Sequence, residues 1–448
     1  MTQTRPDLSA PSTLRRPPRP EPVGAGSEPP AAGPERMPDP APEPARPAGR
    51  GRLHGLDLAR WIAVAGMLVI HFGPPFLDRE SPLGVIVATY AWGRSTILFA
   101  FLAGVSLALV TGGASVHRGR RARTGAARVA VRGAALVLIG WGLHAIVTAG
   151  GSNLTVIITF YGLYFLLAIP LLRLTAPWAA AAAAAAFAVG PQLLFALRRS
   201  AEEGGAMAGV TRAVEAHDPG HLLAGQGLME LTVHGYYPAL AYLPAVLAGL
   251  AVGRLDLHSP LVRARLAAFG MVLAFVSYRT SWHAWYNYGL IGELGAREEV
   301  VGSVPTGDAR WLLTDMPHSA TTPEVLGGTG VAIAVLAACL GLADRFPRLT
   351  APFTAAGSMA LTVYAAHAVV MAWQATLPED IGGLIGLVNR EMSEVYLVGS
   401  VAIALLWRRT LGRGPLEAGV SELAKASAPG PRSPAHARRA RRRRPFRR

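Results

Sequence analysis

Long apolar blocks separated by short polar turns fill the chain from about residue 56 to residue 407. A helix needs roughly 20 apolar residues to cross a bilayer. Inside the hydrocarbon every backbone N–H and C=O must be satisfied within the protein. A sequence built this way is confined to a bundle of membrane helices. The blocks predict ten spans, near 56–76, 95–111, 127–149, 154–172, 177–197, 235–253, 264–282, 324–343, 353–376 and 394–407. The expected fold class is all-α: a polytopic membrane helical bundle of about ten transmembrane helices, both termini cytoplasmic, in a multi-pass cell-membrane protein. The apolar stretch 83–92 is too short to cross and predicts an interfacial or re-entrant helix.

Charge supports this topology. The formal net charge is +15, yet only 16% of the 448 residues are charged and 51% are hydrophobic. The arginines cluster at block ends: Arg118, Arg120, Arg121, Arg123, Arg128 and Arg132; Arg254, Arg263 and Arg265; Arg345 and Arg348; Arg408, Arg409 and Arg413. With ten spans all of these fall on one side, the positive-inside pattern. Residues 1–50 hold 14 of the 35 prolines and residues 432–448 hold nine arginines. Neither stretch can bury enough apolar surface to offset its ordering entropy. Three regions follow: a disordered cytoplasmic tail at 1–50, a membrane domain at 51–420, and a basic disordered tail at 421–448. Phe446 is the one aromatic residue among these arginines, so anionic lipid rather than nucleic acid is the tail's expected partner. The first apolar block begins near residue 56, too far in for a cleavable signal peptide, and should itself direct insertion. The single cysteine, Cys339, excludes an intrachain disulfide and a cysteine metal cluster. No metal-ligand spacing and no phosphate-cradling loop is present.

The first span carries the most informative polar residues. Arg52 to Phe76 reads RLHGLDLARWIAVAGMLVIHFGPPF. Charge at mid-membrane costs at least ~2.5 kcal/mol per residue, so it persists when paired or functional. Arg60 and His71 are eleven residues apart, almost three turns, and share one face about 16 Å apart. Asp57, one turn before Arg60, can neutralise it. A polar stripe thus runs from one membrane surface towards the other. His71, near the outer end, can take a proton from a hydroxyl or amine near neutral pH. Arg60 and Asp57 suit recognition of an anionic donor from the cytoplasm; a helix-packing ion pair is the structural alternative.

Other candidates are scattered. Arg94 opens the second span as a ligand contact or an interfacial anchor. Gly93, Gly104 and Ser106 allow close helix packing. Tyr364 and His367 lie three apart in AAGSMALTVYAAHAVVMAW and face the bundle interior, as a second acid/base pair, donor contacts or interhelix hydrogen bonds. His318, in MPHSATTPE, lies in an outer loop before the eighth span. His234, Tyr236 and Tyr237 fit an aromatic belt.

Several blocks together resemble a known group. LDLARWIAVAGMLVIHF resembles the first span of transmembrane acyltransferases: the heparan-α-glucosaminide N-acetyltransferase group, the bacterial YeiB-like proteins and the acyltransferase-3 group. The R-x10-H spacing of Arg60 and His71 is similar to the acyltransferase-3 pattern. GRSTILFAFLAGVSLAL, TVIITFYGLYFLLAIPLL, GSMALTVYAAH and WRRTLGRGPLE, which ends at Glu417, resemble YeiB-like and heparan-type blocks in the same order. There are departures. Those groups usually carry Asn where His71 stands and Gly where Trp61 stands. The heparan-type loop histidine has no counterpart in residues 73–94.

The resemblance implies an integral membrane acyltransferase using cytoplasmic acyl-CoA, with acetyl-CoA the expected donor and no metal. The acceptor would be a hydroxyl or amine of a glycan or lipid-linked envelope molecule. Expected catalytic residues are His71, His367 and His318; expected donor-binding residues are Asp57, Arg60, Arg94 and Tyr364. Membrane lipid is the other expected partner, and a homodimer is compatible with the sequence. The alternatives are a multi-span transporter or exporter of an envelope metabolite and a membrane scaffold working through its tails.

Overall fold

The computed structural model describes residues 52–74, 81–294, 303–378 and 380–428. The disorder expected of residues 1–50, and of the tail beyond residue 428, lies outside the described residues. Among the described residues there is no strand, and seventeen α-helices follow one another. They are α1 (His54–Phe72), α2 (Pro82–Ala91), α3 (Arg94–Val110), α4 (Gly119–Ala149), α5 (Ile158–Ala168) and α6 (Ala176–Glu202). Then come α7 (Ala206–Glu215), α8 (Pro219–Ala224), α9 (Ala239–Val252), α10 (Pro260–Asn287), α11 (Leu290–Leu294) and α12 (Thr322–Arg345). The described residues close with α13 (Pro347–Gly357), α14 (Ala360–Ala375), α15 (Gly383–Arg390), α16 (Met392–Thr410) and α17 (Pro415–Ser427).

Six of the described segments are long and apolar enough to cross a membrane, or eight if each bent pair is one span. The bent pairs are α13 with α14, at 58°, and α16 with α17, at 49°. Two shorter apolar segments, Ile158–Leu171 and Ala239–Val252, coincide with the fourth and sixth expected spans. α2 and α3 together make one candidate span, Pro82–Val110, where the sequence predicts a separate interfacial or re-entrant helix at 83–92, and they meet at Gly93, which takes φ +71. That left-handed backbone suits a glycine and turns the chain between the two helices. α17 runs to Ser427, past the boundary at residue 420 expected from composition.

Small residues let the helices touch. A Cβ on Gly104 would lie 1.9 Å from the Val246 carbonyl oxygen, and one on Gly249 would lie 1.9 Å from that of Phe101. The backbones of α3 and α9 therefore meet with no side chain between them, as small residues permit in membrane bundles. Just past α9, buried Arg254 ties this pair to its neighbours. It donates to the carbonyls of Ala108 (2.9 Å), Gly113 (3.1 Å) and Leu172 (2.6 Å) and to the Thr111 hydroxyl (2.9 Å). A cation at the end of α3 also complements that helix's dipole. Arg254 is therefore a capping residue of the bundle.

Gly249→Ala should overpack this crossing and cost about 1–3 kcal/mol. The expected readout is a lowered melting temperature in detergent. Gly142→Ala, whose Cβ would meet nothing within 4 Å, should leave the melt unchanged. Equal melting of both variants would contradict the close approach.

Candidate functional site

Two histidines 296 residues apart meet in the interior. His71, in the last turn of α1, lies with its Nδ1 2.8 Å from Nε2 of His367 on α14. The ring planes are 6° apart. His367 is fully buried, and its Nδ1 is 3.1 Å from the Tyr364 carbonyl oxygen. A carbonyl can only accept, so His367 Nδ1 carries the hydrogen. In the neutral pair His367 Nε2 is then the acceptor, and His71 must donate from its own Nδ1. That leaves the lone pair of His71 on Nε2. Backbone and second histidine together fix the tautomer of the first, the arrangement that orients a general base. Phe72 packs edge-on against His367, with centroids 5.7 Å apart, and Tyr364 does the same at 5.1 Å.

His318 faces the same small cavity. A space of about 30 Å³, room for a water or two, is lined by His71, His318, Tyr237, Tyr364, Thr155 and neighbouring backbone of α2 and α3. His318 is 6% exposed, its Nδ1 has no partner, and its ring packs on Tyr236 and Tyr237. Burial, and then the nearby His71, push His318 down to about 3, so it is neutral at ordinary pH. Its backbone is left-handed, φ 64, and Ala320 follows at φ 58. Such conformations are sparse for residues with a Cβ and persist when the surroundings hold them.

What holds them is Glu324, which composition and periodicity did not single out. Its carboxylate accepts from the backbone N–H of His318 (2.6 Å) and of Ala320 (2.7 Å), and from the hydroxyls of Ser319 and Tyr242 (each 3.3 Å). Thr321 caps α12 by accepting from the Glu324 N–H at 3.3 Å. The spacing Thr-x-x-Glu is the capping-box signal, and it stands in the sequence as TTPE. Here the glutamate reaches back past the cap into the loop that carries His318.

Arg60 lies in a second, larger cavity of about 280 Å³, lined also by Arg132, Ser106, Tyr161, Glu417 and Ser421. Asp57 holds it: one carboxylate oxygen is 2.8 Å from Arg60, and the other is 2.7 Å from Arg52. Arg60 also donates to the Ser106 hydroxyl at 2.7 Å. Asp57 thus positions Arg60 and does not itself line the cavity. Ser106, read as a packing residue, is an anchor for the guanidinium. Glu417 clasps the start of α14 through the Thr362 N–H (3.1 Å) and hydroxyl (2.6 Å), stabilising the helix beyond the bend.

Arg60 and His71 do share one face of α1, but they line different cavities. Val64 and Met67, between them on that face, are buried apolar residues. The Tyr161 hydroxyl, donating to the Thr96 carbonyl at 2.8 Å, lies at the boundary. Beyond His71 opens a vestibule of about 620 Å³ with Ser152, Asn153, Gln374, Asn389 and Arg390 on its walls. Arg94 lines none of these spaces; its guanidinium sits 4.9 Å from the Tyr278 ring and donates to the Thr89 carbonyl at 2.9 Å. Among the described residues no group of three His, Cys, Asp or Glu is placed to hold a metal ion.

An all-helical bundle with six to eight apolar candidate spans defines a multi-pass membrane protein, and a buried histidine pair sits in its interior. The chain belongs to the heparan-alpha-glucosaminide N-acetyltransferase catalytic family, whose model matches residues 52–280, just over half of its length. A second family model, described as a protein of unknown function (DUF418), matches residues 306–424. The two together bear out the likeness to the heparan-type and YeiB-like groups. No curated protein matches the chain.

Glu324→Ala should strip two backbone donors of their acceptor, at about 1–3 kcal/mol each. The expected outcome is faster amide hydrogen exchange over residues 316–321, with slower change in α3 and α9. Unaltered exchange in that loop would show that Glu324 does not hold it.

Proposed function

We propose that the protein transfers an acetyl group from cytoplasmic acetyl-CoA to a hydroxyl or amine of a glycan or lipid-linked envelope acceptor. The observation that carries this reading is the chain from the Tyr364 carbonyl through His367 to His71, which leaves a basic nitrogen on His71. Family membership supplies the acetyl transfer.

The acceptor meets His71 from the vestibule, whose amides and hydroxyls match a polyhydroxylated molecule. His71 Nε2 takes the acceptor's proton as its oxygen or nitrogen attacks the thioester carbonyl. His318, across the small cavity, offers a neutral imidazole that can donate to the carbonyl oxygen as it gains charge. The intermediate then collapses, the C–S bond breaks, and the His71 imidazolium returns its proton to the departing sulfur. His367 stays neutral and keeps the His71 ring in place.

The donor half is supported by the larger cavity. Arg60 and Arg132 line it, and Arg128 and Arg413 stand close to Arg132. Such a cationic rim suits the phosphates of coenzyme A. The pantetheine arm then has to pass the boundary at Tyr161, which requires that side chain to give up its bond to Thr96 and turn aside.

His71→Ala in the full-length protein should abolish acetyl transfer, while helix content and melting temperature stay near wild type. His367→Gln should lower kcat by about 10²–10⁴-fold. Transfer is read as acetyl-CoA-dependent thiol release with a glycan-containing envelope extract as acceptor. Wild-type rates in the His71 variant would refute the assignment.

A further inference from the structure

A cavity of about 400 Å³ lies away from the histidines, where the start of α1, the turn from α12 into α13 and the end of α16 converge. His54, Arg408 and Arg409 line it, and no acidic residue does. The side chain of none of the three makes a hydrogen bond or ion pair among the described residues. The nearby acids are already engaged, Asp57 by Arg52 and Arg60, and Asp344 by Arg263 at 2.6 Å. Arg345 and Arg348 add further positive charge on the α12–α13 turn.

The inner wall of the cavity is apolar and small, formed by Ala343, Ala351 and Ala355 with Leu405. On the outer sides of the same helices, Leu349 is 67% exposed and Leu406 is 66% exposed, with Phe353 and Ile403 beside them. In a membrane protein such residues face acyl chains. The cavity is therefore cationic at one end, and the α13 and α16 helices that wall it carry exposed apolar side chains. Unpaired guanidiniums at a membrane boundary attract anions, and Arg binds phosphate through paired N–H donors.

We propose that this cavity is a binding site for the phosphate headgroup of an anionic phospholipid, held by Arg408 and Arg409 with its acyl chains along α13 and α16. A free phosphate group shares the headgroup chemistry, but only a lipid also covers the apolar flank. The proposal is independent of the acetyl-transfer reading. A lipid here would bridge α1, α13 and α16.

The test is native mass spectrometry of the full-length protein in a neutral detergent, titrated with phosphatidylglycerol, phosphatidylcholine or inorganic phosphate. Phosphatidylglycerol should be retained in preference to phosphatidylcholine, and millimolar inorganic phosphate should not displace it. Arg408→Gln with Arg409→Gln should weaken retention on the order of thirtyfold, and Arg408→Gln alone about fivefold. Arg120→Gln with Arg121→Gln, two exposed arginines of α4 that do not line the cavity, should leave it unchanged. Equal retention by wild type and the Arg408/Arg409 variant would overturn the proposal. So would retention of phosphatidylcholine as strong as that of phosphatidylglycerol, or displacement by inorganic phosphate.

Discussion

The hydrogen bond between His71 and His367 is the point on which the site depends. It joins the first membrane helix to the fourteenth helix in the chain, and it works only because the Tyr364 carbonyl has already fixed the His367 proton. A backbone carbonyl inside a helix normally serves the helix alone. Here a side chain three residues on shares it, and the proton order propagates outward to His71. No carboxylate takes part in ordering the His71 ring, which matters in a membrane, where an additional buried charge is expensive.

The same economy governs the charges that remain. Asp57 is buried, yet both its oxygens are engaged by arginines, so the cluster of Arg52, Asp57 and Arg60 keeps one net positive charge aimed at the larger cavity. Glu417 settles at the start of α14, where four backbone N–H groups lack helical partners. Glu324 does similar work for a loop instead of a helix, holding His318 and Ala320 in left-handed conformations. In each case the acid is a holder: Asp57 fixes Arg60 and Glu324 fixes the His318 loop, each at a cavity wall, while Glu417 lines the larger cavity itself.

Much of this was legible in the sequence, and the limits have physical reasons. The apolar blocks announced the helices, because length and hydropathy are local properties. Arg60, Asp57 and His71 stood out because charge inside an apolar helix demands a reason. Their shared face is predictable from helical period, but the apolar Val64 and Met67 lie between them, and the expected continuous polar track is two cavities with Tyr161 at the boundary. His367 was visible as a polar residue at mid-span; that it would meet His71 depends on tertiary packing across 296 residues. Glu324 was missed although the TTPE capping box was there to read. A capping glutamate is ordinarily a local feature, and nothing in the spacing says that it will reach a histidine six residues back. The bend after Gly357 falls inside the expected ninth span, 353–376, because hydropathy does not register a change of helix direction; the bend after Thr410 lies beyond the expected tenth span, 394–407.

The most direct test of the central claim is a structure of the full-length protein in a lipid bilayer with a non-reactive acetyl-CoA analogue. The expected result is the analogue's phosphates beside Arg60 and Arg132, its arm past a displaced Tyr161, and its acyl carbonyl between His71 Nε2 and His318. An analogue bound with its acyl carbonyl remote from His71, Tyr161 still bonded to Thr96, would contradict it.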